Sequence, residues 1–201
     1  MSRPTILMLY ATRHGQARKI AERLAADLEA KGANVDVVNA AELGPFVDIP
    51  RYGAAVLVAS VHLGKHEPEM VAFAREHRAR LEGMPSAFVS VSLSEATVED
   101  QHRPVAARAK AALLVQQNLE TFVKQTGWRP RLVRPVAGAL LYRDYNFLIR
   151  FVMKMIARQS GADTDTSKNY EYTDWAAVDR FAAELAVATG AERPVTTRSA
   201  S

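Results

Sequence analysis

Residues 5–28 read TILMLYATRHGQARKIAERLAADL, and this stretch decides the fold. Residues 6–10 are a continuous apolar run. After them the apolar positions fall at helical spacing, with Ala17, Ile20, Ala21, Leu24, Ala25 and Leu28 on one face. The polar loop between the two patterns, Thr12-Arg13-His14-Gly15-Gln16, holds a single glycine. A loop at the carboxyl end of a strand and the amino end of a helix presents free N–H groups and the positive end of the helix dipole. A glycine there lets the backbone approach a ligand closely. The loop is therefore expected to cradle a phosphate.

Outward from this unit the same alternation continues. Residues 35–38, 54–59, 87–91 and 132–139 read as further strands, short and rich in Val and Leu. Helical patterns span 15–31, 67–82, 105–126 and 173–188, closed by Gly32, Gly83, Gly127 and Gly190, where helix stops are expected. Strand and helix in alternation imply right-handed crossovers and a parallel sheet covered on both faces. The fold expected is a doubly wound α/β domain with five parallel strands in the order 2-1-3-4-5, its ligand at the carboxyl ends beside strands one and three. Residues 1–190 are read as this one domain and 191–201 as a polar, disordered tail.

The bulk composition narrows the function. The chain has 201 residues, a length that suits one domain with a full core. With no cysteine there is no disulfide, thiolate metal site or cysteine nucleophile, so any redox chemistry belongs to a cofactor. No signal-peptide pattern opens the chain and no apolar run reaches the length of a spanning helix, so a cytoplasmic setting is expected. A net charge of +4 favours an anionic partner. Basic residues without interleaved aromatics argue against nucleic acid, and the chain has no G-x-S-x-G elbow of a serine hydrolase.

In such a sheet the loops after the strands open on one edge. The second of them, Ser60-Val61-His62-Leu63-Gly64-Lys65-His66, mixes hydroxyl, apolar and basic groups; the third is Ser90-Val91-Ser92-Leu93-Ser94. Donors in the first loop suit a phosphate, and apolar groups with exposed backbone in the other two suit a flat ring held edge-on. Flavin mononucleotide (FMN) meets both demands. His62 and His66 have metal-ligand spacing, but no third ligand stands near them and no metal is expected.

Thr12-Arg13-His14-Gly15-Gln16 is similar to the phosphate loop of flavodoxins. The wider pattern resembles the quinone-dependent protoporphyrinogen IX dehydrogenase family, flavodoxin-like enzymes of bacterial haem synthesis. The likeness runs from about residue 5 to 189 and rests on Met84-Pro85-Ser86-Ala87-Phe88 with Ser90-Val91 and Leu93, Trp128-Arg129-Pro130, Ala137-Gly138-Ala139-Leu140, and Asp163-Thr164-Asp165-Thr166 with Tyr172-Thr173-Asp174-Trp175. It implies that Thr12, Arg13, His14, Gly15, Gln16 and Ala17 hold the FMN phosphate, and that Ser60, Val61, His62, Leu63 and Gly64 flank the isoalloxazine together with Ser92 and Leu93. Two departures stand out: Ala17 replaces the usual Ser or Thr at the end of the phosphate loop, and the segment 94–127 is longer than usual.

Residues 141–159, LYRDYNFLIRFVMKMIARQ, place Phe147, Leu148, Phe151, Val152, Met155 and Ile156 on an i, i+3, i+4 stripe. This gives an extra amphipathic helix after strand five. Arg143, Arg150, Lys154 and Arg158 lie off the stripe, the last three as one row. The stripe can face the protein's own core; otherwise the helix lies at a membrane surface with its cations on lipid phosphates, or the cations grip substrate carboxylates.

The activity expected is oxidation of protoporphyrinogen IX to protoporphyrin IX with a membrane quinone as acceptor, on the inner face of the cell membrane. No catalytic acid or base can be named, and a homodimer is compatible with the sequence. The alternatives are a flavodoxin-type electron carrier and a flavodoxin-like NAD(P)H:quinone reductase.

Overall fold

The computed structural model describes residues 5–43, 48–141 and 169–191. At its centre β1 (Thr5–Ala11) pairs in parallel with β2 (Asn34–Asn39) on one side and β3 (Tyr52–His62) on the other. β5 (Ser86–Ser92) adds to β3, and β6 (Leu132–Ala137) adds to β5. The order β2-β1-β3-β5-β6 is the expected 2-1-3-4-5 for the five parallel strands. A two-residue strand, β4 (Lys65–His66), folds back antiparallel on the end of β3 as a hairpin that the sequence did not announce.

The two faces of the sheet follow from period-two alternation along strands that are buried on both sides. Ile6, Met8 and Tyr10 of β1, with Ala54, Val56 and Val58 of β3, face α1 (Gln16–Ala30) and α6 (Trp175–Ala188). Leu7, Leu9 and Ala11, with Ala55, Leu57 and Ala59, face the other layer, which includes Met70, Phe73, Leu81, Phe122 and Trp128. That layer is α2 (Pro68–Glu76), α3 (Arg78–Glu82) and α5 (Val105–Thr126). Phe88 of β5 and Phe122 of α5 stack at 4.1 Å between centroids, and fully buried Trp128 meets both edge-on.

Departures from the expected elements have local causes. The helix expected over 67–82 breaks at His77, whose φ of −100° and ψ of 18° leave the helical region. The polar stretch after β5 holds α4 (Leu93–Glu99), with Ser92 at its N-cap accepting from the Glu95 N–H at 3.2 Å. The strand expected over 132–139 stops at Gly138, where the chain turns into β7 (Ala139–Leu141), paired antiparallel with β8 (Asn169–Glu171). Gly138 donates to Ser92 O at 3.0 Å and accepts from Tyr172 N at 3.1 Å. A Cβ there would stand 3.4 Å from Val91 Cγ1, an ordinary contact. Ala191, assigned to the tail from sequence, is buried against the α1 side of the core. Residues 192–201 and the basic row of Arg143, Arg150, Lys154 and Arg158 lie outside the described residues, as does Asp163-Thr164-Asp165-Thr166.

Candidate functional site

The three loops at the carboxyl edge of β1, β3 and β5 enclose one cavity of about 330 Å³. Thr12, Arg13, His14 and Gln16 line it from the first loop; Ser60, Val61, His62, Leu63 and Gly64 from the second; Ser92 and Leu93 from the third. Gly15 and Ala17 are not on its wall. Gly15 acts through the backbone: with φ of 88° it is the left-handed N-cap of α1, and its N–H donates to Thr12 Oγ1 at 3.0 Å. No side chain caps this end of α1 and no acidic residue stands in its first turn, so the amides of that turn and the dipole remain available to an anion. The Ala17 side chain is fully buried in the core beneath α1. Anything this position offers a phosphate comes from its main chain.

Gln16 joins the first loop to the far end of the sequence. It is 5% exposed; its Nε2 donates to Thr173 Oγ1 at 2.8 Å, and that hydroxyl donates to Ala137 O at 2.7 Å. Its other amide atom, Oε1, is buried without a hydrogen-bond partner among the described residues. A buried orphan acceptor at a cavity wall is unusual in a folded protein and fits a donor brought by a ligand.

Sequence reasoning missed five wall residues: Glu67, Leu114, Asn118, Gly138 and Ala139. The buried Glu67 carboxylate accepts from Ser60 Oγ at 3.1 Å and from Arg13 Nη2 at 3.4 Å, linking the first loop to the second. Its position one residue before Pro68, which opens α2, was the available clue. Leu114 and Asn118 are four apart on α5 and so share a face. The Ser92-x-x-Glu95 spacing, which is that of a capping box, could have located α4.

The second loop is a tight hairpin. Leu63 and Gly64, the two turn residues between His62 and Lys65, both have positive φ, 49° and 75°. A type I′ turn demands this, and for a leucine it costs on the order of 1 kcal/mol. His66 turns inward instead: its ring packs on Phe88 and Phe122, and Nε2 lies 2.9 Å from Ser90 Oγ. Burial holds its pKa down at about 4, so the ring is neutral at pH 7. His62 and His14 meet edge-on at the wall, 6.2 Å between centroids.

Behind α4 lies a smaller cleft of about 160 Å³, where Glu95, Glu99 and Asp174 approach one another beside Arg134. Burial, aided by Glu95 and Asp174, pushes the Glu99 carboxyl up to about 7, and burial raises Glu95 as well. Arg134 is engaged elsewhere: it donates to both Glu184 oxygens at 2.9 and 2.8 Å and lies over the Phe181 ring.

A family model described as a flavodoxin domain matches residues 7–167. The chain is 36% identical over 183 residues to protoporphyrinogen IX dehydrogenase (quinone) of Escherichia coli strain K12, an alignment that covers 90% of this chain and 93% of that protein. It is 33% identical over 184 residues to protoporphyrinogen IX dehydrogenase (quinone) of Leishmania major, covering 91% of this chain and 75% of that one. Among solved structures, rubredoxin oxygen:oxidoreductase from the anaerobe Desulfovibrio gigas superimposes with a TM-score of 0.50 at 12% identity, over 94% of this chain and 37% of that one. That likeness is one of fold.

Proposed function

Since this chain belongs to the flavodoxin domain family, we propose that it is an FMN-dependent dehydrogenase that oxidises protoporphyrinogen IX to protoporphyrin IX and passes the electrons pairwise to successive quinone molecules. The observation that carries the reading is the single cavity joining the amino end of α1 to the β3–β4 hairpin and the start of α4. A phosphate-to-ring cofactor needs such a path. Identity of 36% to the Escherichia coli enzyme over nine-tenths of the chain supports the same activity.

The residues present fit FMN. The uncapped first turn of α1, the Thr12 hydroxyl and the Arg13 guanidinium form a donor set for a phosphate, which only accepts. The orphan Gln16 Oε1 needs a donor, and the ribityl hydroxyls of FMN supply donors. Val61, Leu63 and Leu93 offer apolar surface to the ring, with Gly64 leaving backbone exposed beside it. Bound FMN supplies the two-electron acceptor. The protein's own work is to bind, orient and shield it. Glu67 ties Arg13 of the first loop to the second and places a carboxylate on the wall, so the phosphate is favoured at the α1 end and disfavoured near Glu67.

Peripheral contact with an anionic membrane surface on the inner face of the cell is part of the proposal. It rests on the sequence spacing of Arg150, Lys154 and Arg158 and on the lipid solubility of a membrane quinone. No helix among the described residues is long and apolar enough to cross a membrane.

Anaerobic mixing of FMN-loaded protein with protoporphyrinogen, and separately with NADH, tests the reading. Bleaching of the flavin by protoporphyrinogen and its recovery on adding quinone are expected. Bleaching by NADH alone would make the protein a nicotinamide-fed quinone reductase, and bleaching by neither would leave an electron carrier.

A further inference from the structure

Three leucines stand in solvent around one opening. Leu63 at the hairpin tip is 82% exposed, Leu114 on α5 is 43% and Leu93 at the start of α4 is 37%, and all three line the mouth of the main cavity. They come from three separate elements, so no single amphipathic stripe explains them. Exposed apolar side chains gathered at one opening mark a contact surface.

Two cations flank this rim. Lys65 stands opposite His62 in the hairpin register, so the two side chains leave the same face of the ribbon, and His62 lines the cavity. Lys110 lies one helical turn before Leu114, on the face of α5 that carries Leu114 and Asn118. Both lysines are exposed, and neither forms an ion pair among the described residues.

We propose that this rim docks the tetrapyrrole: Leu63, Leu93 and Leu114 contact its apolar ring, and Lys65 and Lys110 meet its carboxylates. The inference rests on the reading that the cavity holds FMN, and it names where the substrate of that reaction sits. A quinone offers the leucines an equal ring but gives the lysines no anion. A bilayer is the poorer match, because Leu93 and Leu114 are more than half covered, whereas lipid contact needs protruding groups. Reach also favours a ring docked at the mouth, since transfer to the flavin requires reacting atoms within about 3–3.5 Å.

The test uses full-length, FMN-loaded protein titrated with protoporphyrin IX and with its dimethyl ester, followed by porphyrin fluorescence. K65Q/K110Q should weaken protoporphyrin binding about thirtyfold, as two solvent-facing ion pairs at the upper end of their usual strength would. The ester should bind the variant as well as it binds the wild type. L114A should weaken acid and ester alike, by several-fold, and FMN affinity should hold in K65Q/K110Q. Unchanged protoporphyrin affinity in both variants overturns the proposal, and so does an equal loss for the ester in K65Q/K110Q. If L114A instead lowers binding to phosphatidylcholine vesicles and leaves protoporphyrin binding intact, the rim is a lipid contact and the proposal is wrong. Failure of the cofactor reading is seen separately, in the FMN titration of the wild type, while the porphyrin titration still reads the rim.

Discussion

Gln16 Nε2 donates to Thr173 Oγ1 at 2.8 Å across 157 positions of sequence, in a buried site. The bond fixes the start of α1 to the segment between β8 and α6, and Thr173 passes the connection to Ala137 at the end of β6. Thr173→Val keeps the shape and removes the hydroxyl, leaving the Gln16 amide and the Ala137 carbonyl unpaired. Urea unfolding should show a loss of about 1–3 kcal/mol for these buried polar groups. FMN should also bind more weakly, because Gln16 is no longer held at the wall. Stability and FMN affinity both equal to wild type would mean that the bond contributes nothing.

Gly15 separates two reasons for a glycine in a phosphate loop. A Cβ built there meets nothing within 4 Å, so the protein itself does not forbid a side chain; the φ of 88° does. Gly15→Asn, a residue that tolerates left-handed backbone, should fold with nearly wild-type stability, whereas Gly15→Val should lose on the order of 1–2 kcal/mol. Both should bind FMN less tightly, because either side chain enters the space where phosphate is expected. Thermal unfolding and flavin fluorescence titrations read the two effects apart, and equal stability of the two variants would refute the backbone account.

The parallel core was legible because strands buried on both faces show as apolar runs, and because the change from residues 6–10 to the helical stripe of α1 is abrupt. The three loops were legible for the same reason: topology alone brings strand ends to one edge. Glu67, Leu114 and Asn118 were not. Their place at the cavity depends on where α2 starts and how α5 is rotated against β4, which are tertiary facts with no period of their own. The β3–β4 hairpin hid because its turn is Leu-Gly, where positive φ at the first position usually selects Asn, Asp or Gly. Gly138 read as strand because Ala137 and Ala139 continue the apolar run.

Two groups with shifted pKa values give stability opposite pH slopes. His66 is held near pKa 4 against an ordinary 6.5, so the unfolded chain binds more protons between those values and stability is lost as pH falls from about 6.5 toward 4. Full expression of that shift corresponds to about 3 kcal/mol. Glu99, raised to about 7 from 4.5, does the reverse: the folded state holds the extra proton, and stability is lost as pH rises from about 4.5 to 7. His66→Gln should flatten the acid side of the stability profile. Glu99→Gln should raise stability at pH 8 relative to wild type and flatten the neutral side. Urea titrations at pH 4.5, 6 and 8 check both, and parallel profiles for wild type and Glu99→Gln would remove the carboxylate cluster as a cause.

The basic row Arg150, Lys154 and Arg158 recurs every fourth residue in the sequence, so the three charges act together if that stretch is helical. Near an anionic bilayer each cation contributes on the order of 1 kcal/mol, and the triple Gln variant should bind vesicles containing phosphatidylserine about a hundredfold more weakly. Added salt should weaken the wild type in the same direction, because the attraction decays within a Debye length. If the row grips substrate carboxylates instead, vesicle binding persists and the KM for protoporphyrinogen rises while FMN content stays constant. Phe151→Ser distinguishes a core-facing stripe: burial predicts a loss of several kcal/mol, and exposure to lipid predicts almost none in the absence of vesicles. Wild-type vesicle binding, KM and stability in both variants would leave the row without a role.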